Sequence, residues 1–171
     1  LVKEARHGMF NAGLVPERLA LMDRAARQWG STATPGEDLP DILAEVAQQH
    51  GVTIPCDLDS ADILVTAAPA ELGEHTKALA DAAKILNRIG ARWTMHQDGF
   101  DASNIGFNNG DLELQERLTR SLVDTAVKIG ATTVLGELQN ALDRIWRVAG
   151  PPGSDAVDPR LRVRRDAPGW L

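Results

Sequence analysis

The sequence predicts an α/β fold: a three-stranded parallel sheet in a βαβαβα unit, preceded by a helical segment. Three observations lead there. Short apolar runs of strand length recur at 61–66, 91–96 and 132–135. Amphipathic stretches of helical period separate them. A glycine ends each such stretch just before the next run, at Gly90 and Gly130, as suits the C-terminus of a helix. Helix, glycine and strand repeated in this order are the grammar of right-handed parallel crossovers. On this reading the chain divides into a helical segment over 1–55, the α/β unit over 56–150 and an extended tail over 151–171.

The elements follow in order. Pro16-Glu17-Arg18 opens a helix, because the amide that proline lacks has no partner at the first helical position. Leu19, Met22, Ala26 and Trp29 then recur on one face. The stretch 30–36, rich in Gly, Ser, Thr and Pro, is a loop by composition. A second helix turns Leu43, Val46 and Ala47 inward and ends near His50-Gly51. Aromatic residues make up only 4% of the chain, so Phe10 and Trp29 read as packing anchors rather than base-stacking platforms.

The run 61–66 fits a strand buried on both faces, and 67–73 is its loop. A helix from about 74 to 88 turns Leu79, Ala82, Ala83, Leu86 and Ile89 inward. The second strand, 91–96, carries Trp93 as a core or sheet-face residue. A polar loop over 97–107 leads to Asn108-Asn109-Gly110-Asp111, a turn and helix cap. Asn104, Asn108, Asn109 and Gly110 suit turns that need positive φ. The helix 112–129 has Leu114, Leu118, Leu122, Val123, Ala126 and Ile129 on its stripe. After the third strand, 138–148 is the closing helix, with Trp146 packed. The tail carries Arg160, Arg162, Arg164 and Arg165 and reads as a linker or docking segment.

Composition excludes several function classes. A formal charge of −6 argues against general nucleic-acid binding, which needs a basic surface to displace counterions. No apolar run is long enough for a transmembrane helix. The start, Leu-Val-Lys-Glu-Ala-Arg-His, has no apolar h-region and no initiator Met, so a processed or excised segment with a functional module upstream is expected. Cys56 is the only cysteine, so the chain forms neither an internal disulfide nor a four-thiolate metal site. Acidic neighbours raise a thiol pKa, which makes Cys56 an inert structural residue. A reducing, cytoplasmic setting is expected.

Parallel sheets gather ligands at the carboxyl ends of their strands, so the loops 67–73, 97–107 and 136–140 are where a site belongs. His96 ends the second strand and Asp98 lies two residues on; Glu74 and His75 open the first crossover helix, and Glu137 stands in the third loop. Imidazole and carboxylates together suit a mixed nitrogen–oxygen metal or acid–base site. His96, Asp98, Glu137 and Asn140 are the ligand-binding candidates. The competing reading is that His96 caps its own loop while the carboxylates are solvated or bound to helix amides. No residue is assigned a catalytic or metal-ligating role. Gly99, Gly106 and Gly110 invite comparison with phosphate-binding loops, but their spacing is not Gly-x-Gly-x-x-Gly.

The segment 61–147 resembles one cysteine-rich (CCG) repeat of the heterodisulfide-reductase-like iron–sulfur oxidoreductases, of the reductase D subunit or sulfite-reduction complex type. The matching stretches are Ala-Asp-Ile-Leu-Val (61–65), Ala-Lys-Ile-Leu-Asn-Arg-Ile-Gly-Ala-Arg-Trp-Thr (83–94), Asp-Gly-Phe-Asp-Ala-Ser-Asn-Ile-Gly (98–106) and Gly-Glu-Leu-Gln-Asn-Ala (136–141). In that family the first loop carries a cysteine, the second often Cys-Cys-Gly, and the third Cys-x-x-Cys or Gly-Glu-Cys-Gly-His-Ala. Here these positions read Ala67-Ala68-Pro69, Gln97-Asp98-Gly99 and Gly136-Glu137-Leu138.

The resemblance therefore implies a degenerate repeat: a cluster-free structural or assembly domain of an electron-transfer oxidoreductase, holding redox partner subunits in a hetero-complex. A 4Fe-4S cluster belongs only to an upstream ferredoxin-like module or a partner. The alternative is a small-molecule or metal-binding α/β enzyme domain using His96, Asp98 and Glu137. A third reading is an interaction module docking through its Arg-rich tail.

Overall fold

The computed structural model describes residues 1–29, 38–101 and 105–136. The closing helix expected over 138–148, the tail and the loop 30–36 lie outside the described residues. Three strands form one parallel sheet: β1 (Ile63–Thr66), β2 (Trp93–Thr94) and β3 (Thr133–Gly136), in the order β2-β1-β3. Ile63 stands beside Trp93 and Thr133, and Leu64 beside Thr94 and Val134. The most continuously apolar run thus takes the centre, where both faces are covered. Leu64 and Val65 are both buried, each contributing about 1.5–3 kcal/mol of apolar burial.

The period of two along β1 assigns its neighbours. Ile63, Val65 and Ala67 share a core with α3 (Leu39–His50) and α5 (Thr76–Arg88), through Leu39, Leu43, Val46, Leu79, Ala83 and Leu86. Leu64 and Ala61 pack with Leu122, Ala126 and Ile129 at the end of α7 (Leu112–Lys128). The chain winds from β1 outward to β2 through α5, then back across β1 to β3 through α7. Reversed direction with constant handedness puts the two helices on opposite faces.

Several elements differ from the sequence reading. The second strand keeps two residues of the expected six, because its ladder with β1 covers only Trp93 and Thr94. Beyond it, Met95 pairs with Cys56: the Met95 amide donates to the Pro55 carbonyl at 3.0 Å and the Asp57 amide to the Met95 carbonyl at 2.9 Å. The first loop folds into a short helix, α4 (Pro69–Gly73), and the second ends in α6 (Ile105–Asn109). Asn108 and Asn109 are therefore helical; in this turn only Gly110 takes positive φ, at 91°, and Asn104 lies outside the described residues. Ile89 is 69% exposed rather than inward. The stripe of Leu79, Ala83 and Leu86 has rotated past it by the last turn, since 3.6 residues make a turn.

The N-terminal segment holds α1 (Val2–Asn11) and α2 (Glu17–Trp29) before α3. Ala26 is fully buried against Ile105, Leu114 and Leu118, with Leu19 and Met22 alongside, as the helical spacing implies. A polar network fixes this corner. Arg27 Nε donates to Asp23 Oδ2 at 3.0 Å, and its guanidinium also pairs with Asp111. Asn109 Nδ2 donates to Asp23 Oδ1 at 2.7 Å. Asp111 caps α7 by accepting from the Leu114 amide at 3.0 Å. Asp23, Asn109 and Asp111 are all buried. The two carboxylates outweigh desolvation and hold the Arg27 pKa above its usual value. Gly110 lets α1 approach: a Cβ there would strike the Arg6 carbonyl, and the Gly110 carbonyl lies 2.9 Å from His7 Nδ1.

Candidate functional site at the carboxyl edge

The sheet reverses its winding between β1 and β3, and their carboxyl ends open a crevice at that switch point. Thr66 ends β1 and Gly136 ends β3, paired side by side. A Cβ on Gly136 would lie 2.6 Å from Thr66 Oγ1, so the missing side chain allows the close approach. The Thr66 hydroxyl donates to the Leu135 carbonyl at 3.3 Å. The second loop crosses to the same point: the Ala67 amide donates to the Phe100 carbonyl at 3.0 Å, and Ala67 pairs with Asp101. The first two loops are thus joined by main-chain bonding, with the start of the third beside them.

A pocket of about 40 Å³ with an almost wholly apolar lining lies in the crevice, walled by Val65, Ala67, Leu79, Ala82 and Leu135, with Thr66 and Glu71 beside them. Glu71 Oε2 accepts from the Ala68 amide at 2.6 Å, so this carboxylate serves the start of α4.

His96 and Asp98 come together, but beyond β2 rather than in the crevice. His96 is 8% exposed. Its Nδ1 accepts from the Asp98 amide at 3.2 Å and lies 3.4 Å from Asp57 Oδ1 and 3.8 Å from Asp98 Oδ2. An Nδ1 that accepts an amide hydrogen bond presents its lone pair, which assigns the ring hydrogen to Nε2. The ring therefore closes its own loop. Lys128 Nζ stands 3.9 Å from Asp98 Oδ2. Asp57 takes a left-handed φ of 54°, held by the Gln97 amide donating to Oδ1 at 2.8 Å. The Gln97 side chain turns the other way and accepts from the Leu39 amide at 2.7 Å, capping α3 where Asp38 makes no cap bond.

Glu74 and His75 are exposed at the start of α5. Glu137 and Asn140 lie outside the described residues. Among the described residues no group of three or more His, Cys, Asp or Glu is placed to hold a metal. The Cys56 thiol is pushed up to about 12, first by burial and then by Asp57, which keeps it protonated and unreactive. Gly99 and Gly106 face Thr125 and Gln115 of α7.

Sequence reasoning missed Thr66, Gly136 and the Asp57 partner of His96. A hydroxyl residue ending an apolar strand, and a glycine ending its neighbour, were the signals available for the first two. No family model matches this chain, and neither a curated protein nor a solved structure is detectably similar to it.

Proposed function

We infer that the chain is a cluster-free architectural domain of a heterodisulfide-reductase-like electron-transfer oxidoreductase, working in a cytoplasmic hetero-complex with redox partner subunits. The observation that carries this reading is the convergence at Ala67: Phe100 bonds to it at 3.0 Å while Gly136 abuts the preceding Thr66. These are the loops on which the resembling family carries its thiolates. The one cysteine of this chain sits elsewhere, beside Met95 beyond β2, and one thiolate cannot supply the four a cluster takes. Small residues and a Thr66–Leu135 hydrogen bond close the edge instead. Among the described residues no helix is long and apolar enough to cross a membrane.

Anaerobic reconstitution with iron and sulfide tests the reading directly. Neither stoichiometric iron nor visible cluster absorbance is expected, and stoichiometric iron would overturn it. Cross-linking in native extract should capture partners that carry iron–sulfur centres; capture of none counts equally against it.

A further inference from the structure

The outer surface of α5 carries an apolar ridge that the core does not use. Ile85 is 63% exposed and Ile89 is 69% exposed. They stand four residues apart and so share one helix face. Ala78, exposed, and Ala82, half-buried, continue that face toward the N-terminus of the helix. Ala82 also lines the crevice pocket together with Leu135, itself 43% exposed. The apolar surface thus runs from the carboxyl edge of the sheet down the length of α5, about 16 Å at the rise of a helix.

The helix that bears this face is locally basic on a chain that is acidic overall. The chain as a whole carries −6, yet residues 76–92 hold Lys77, Lys84, Arg88 and Arg92 against the single acid Asp81. Asp81 is engaged by Lys77 and by Lys84, the latter at 3.6 Å. Arg92 lies 3.8 Å from Asp62. Arg88, the last residue of α5 and next to Ile89, forms no ion pair among the described residues. Lys84, half-exposed, and Arg88 thus flank the apolar ridge with positive charge.

We propose that this face of α5 docks an amphipathic acidic helix of a partner protein, its apolar stripe seated on Ala78, Ala82, Ile85 and Ile89 and its carboxylates meeting Lys84 and Arg88. Two alanines followed by two isoleucines give a groove and a ridge along one helix, the relief into which a second helix packs. Carboxylates facing the cations supply complementarity that orients the partner. A membrane surface fits less well, since interfacial helices bury a broad face with aromatic anchors, and the opposite face of α5 is already committed to the core. The proposal stands on the surface of α5 and not on the kinship inferred above.

The test uses the full chain and fluorescence anisotropy with three labelled helical peptides: a leucine stripe flanked by glutamates, the same stripe flanked by lysines, and a scrambled glutamate peptide. Saturable binding of the first alone is expected, weakening as salt rises. Replacing Ile85→Ser and Ile89→Ser together should weaken it at least about tenfold, and Arg88→Glu should weaken it while leaving the fold intact. No binding, or equal binding of all three peptides, would overturn the proposal. So would capture by anionic phosphatidylserine vesicles that the isoleucine variant loses, or a concentration-dependent dimer that it loses. A sharp fall in melting temperature on the two serine substitutions would show the chain covering its own ridge, and would overturn it as well.

Discussion

The corner where α2 meets α6 and α7, and the carboxyl edge where β1 meets β3, both place polar groups inside apolar packing. They are closed by opposite means. At the corner two buried carboxylates share one guanidinium, and an asparagine and a helix amide take the remaining oxygen sites. At the edge the Thr66 hydroxyl donates to a carbonyl, Glu71 bonds the start of α4, and the close approach of β1 and β3 comes from a residue with no side chain. Charge joins segments far apart in sequence at the corner, while smallness lets main chains touch at the edge. The two should therefore fail differently.

The largest effect is expected at the corner. Asp111→Ala removes the cap of α7 and leaves Arg27 facing Asp23 alone, at a cost of about 3 kcal/mol. Urea unfolding would measure it, and a loss well under 1 kcal/mol would show that the network is solvated in practice. At the edge, Gly136→Ala should cost about 1–2 kcal/mol by forcing Thr66 aside. Combining it with Thr66→Ala should restore part of that loss, a coupling that a double-mutant cycle reads directly. Additive costs would place the strain elsewhere.

Smaller and more local is Gly110→Ala. Its Cβ would meet the Arg6 carbonyl, and its φ of 91° disfavours any side chain. Because no residue of α1 is buried, the expected readout is faster amide exchange in 2–11 with little change in global stability. Global unfolding on this substitution would make α1 integral to the core.

The smallest effect is a slope. The folded Cys56 thiol titrates near 12 against an ordinary 9.0, so the unfolded chain releases its proton first. The associated stability is complete below about pH 9 and is lost as pH rises toward 12. Cys56→Ala should flatten the alkaline decline of stability, and in the native wild type a thiol reagent should react slowly at neutral pH until denaturant is added.

Much of the scaffold was legible in the sequence. Leu79, Ala83 and Leu86 on one helix, Leu114, Leu118 and Leu122 on another, and the run 63–66 between them are set by periodicity, which depends only on local spacing. The short helices α4 and α6 were not legible, because five residues hold too few turns to show a period. The pairing of Arg27 with Asp111 spans 84 positions and leaves no local mark beyond the Asp23–Arg27 spacing of four. For the site, the sequence pointed to the three strand ends but chose His96 and Asp98. The structure brings those two together on the far side of β2, where the ring accepts a main-chain amide. Titratable side chains attract attention in a sequence, whereas Thr66 and Gly136 acquire meaning only when their strands lie side by side.

The strap of Pro55, Cys56 and Asp57 along β2 bears on how this protein meets other chains. It occupies Met95, where an added strand would continue the ladder past the two-residue β2. Pro55 has no N–H to offer an incoming backbone, and a positive φ at Asp57 turns the chain away immediately afterwards. This strap therefore blunts that flank against edge-to-edge aggregation. An incoming strand is thereby turned away from β2 at Met95.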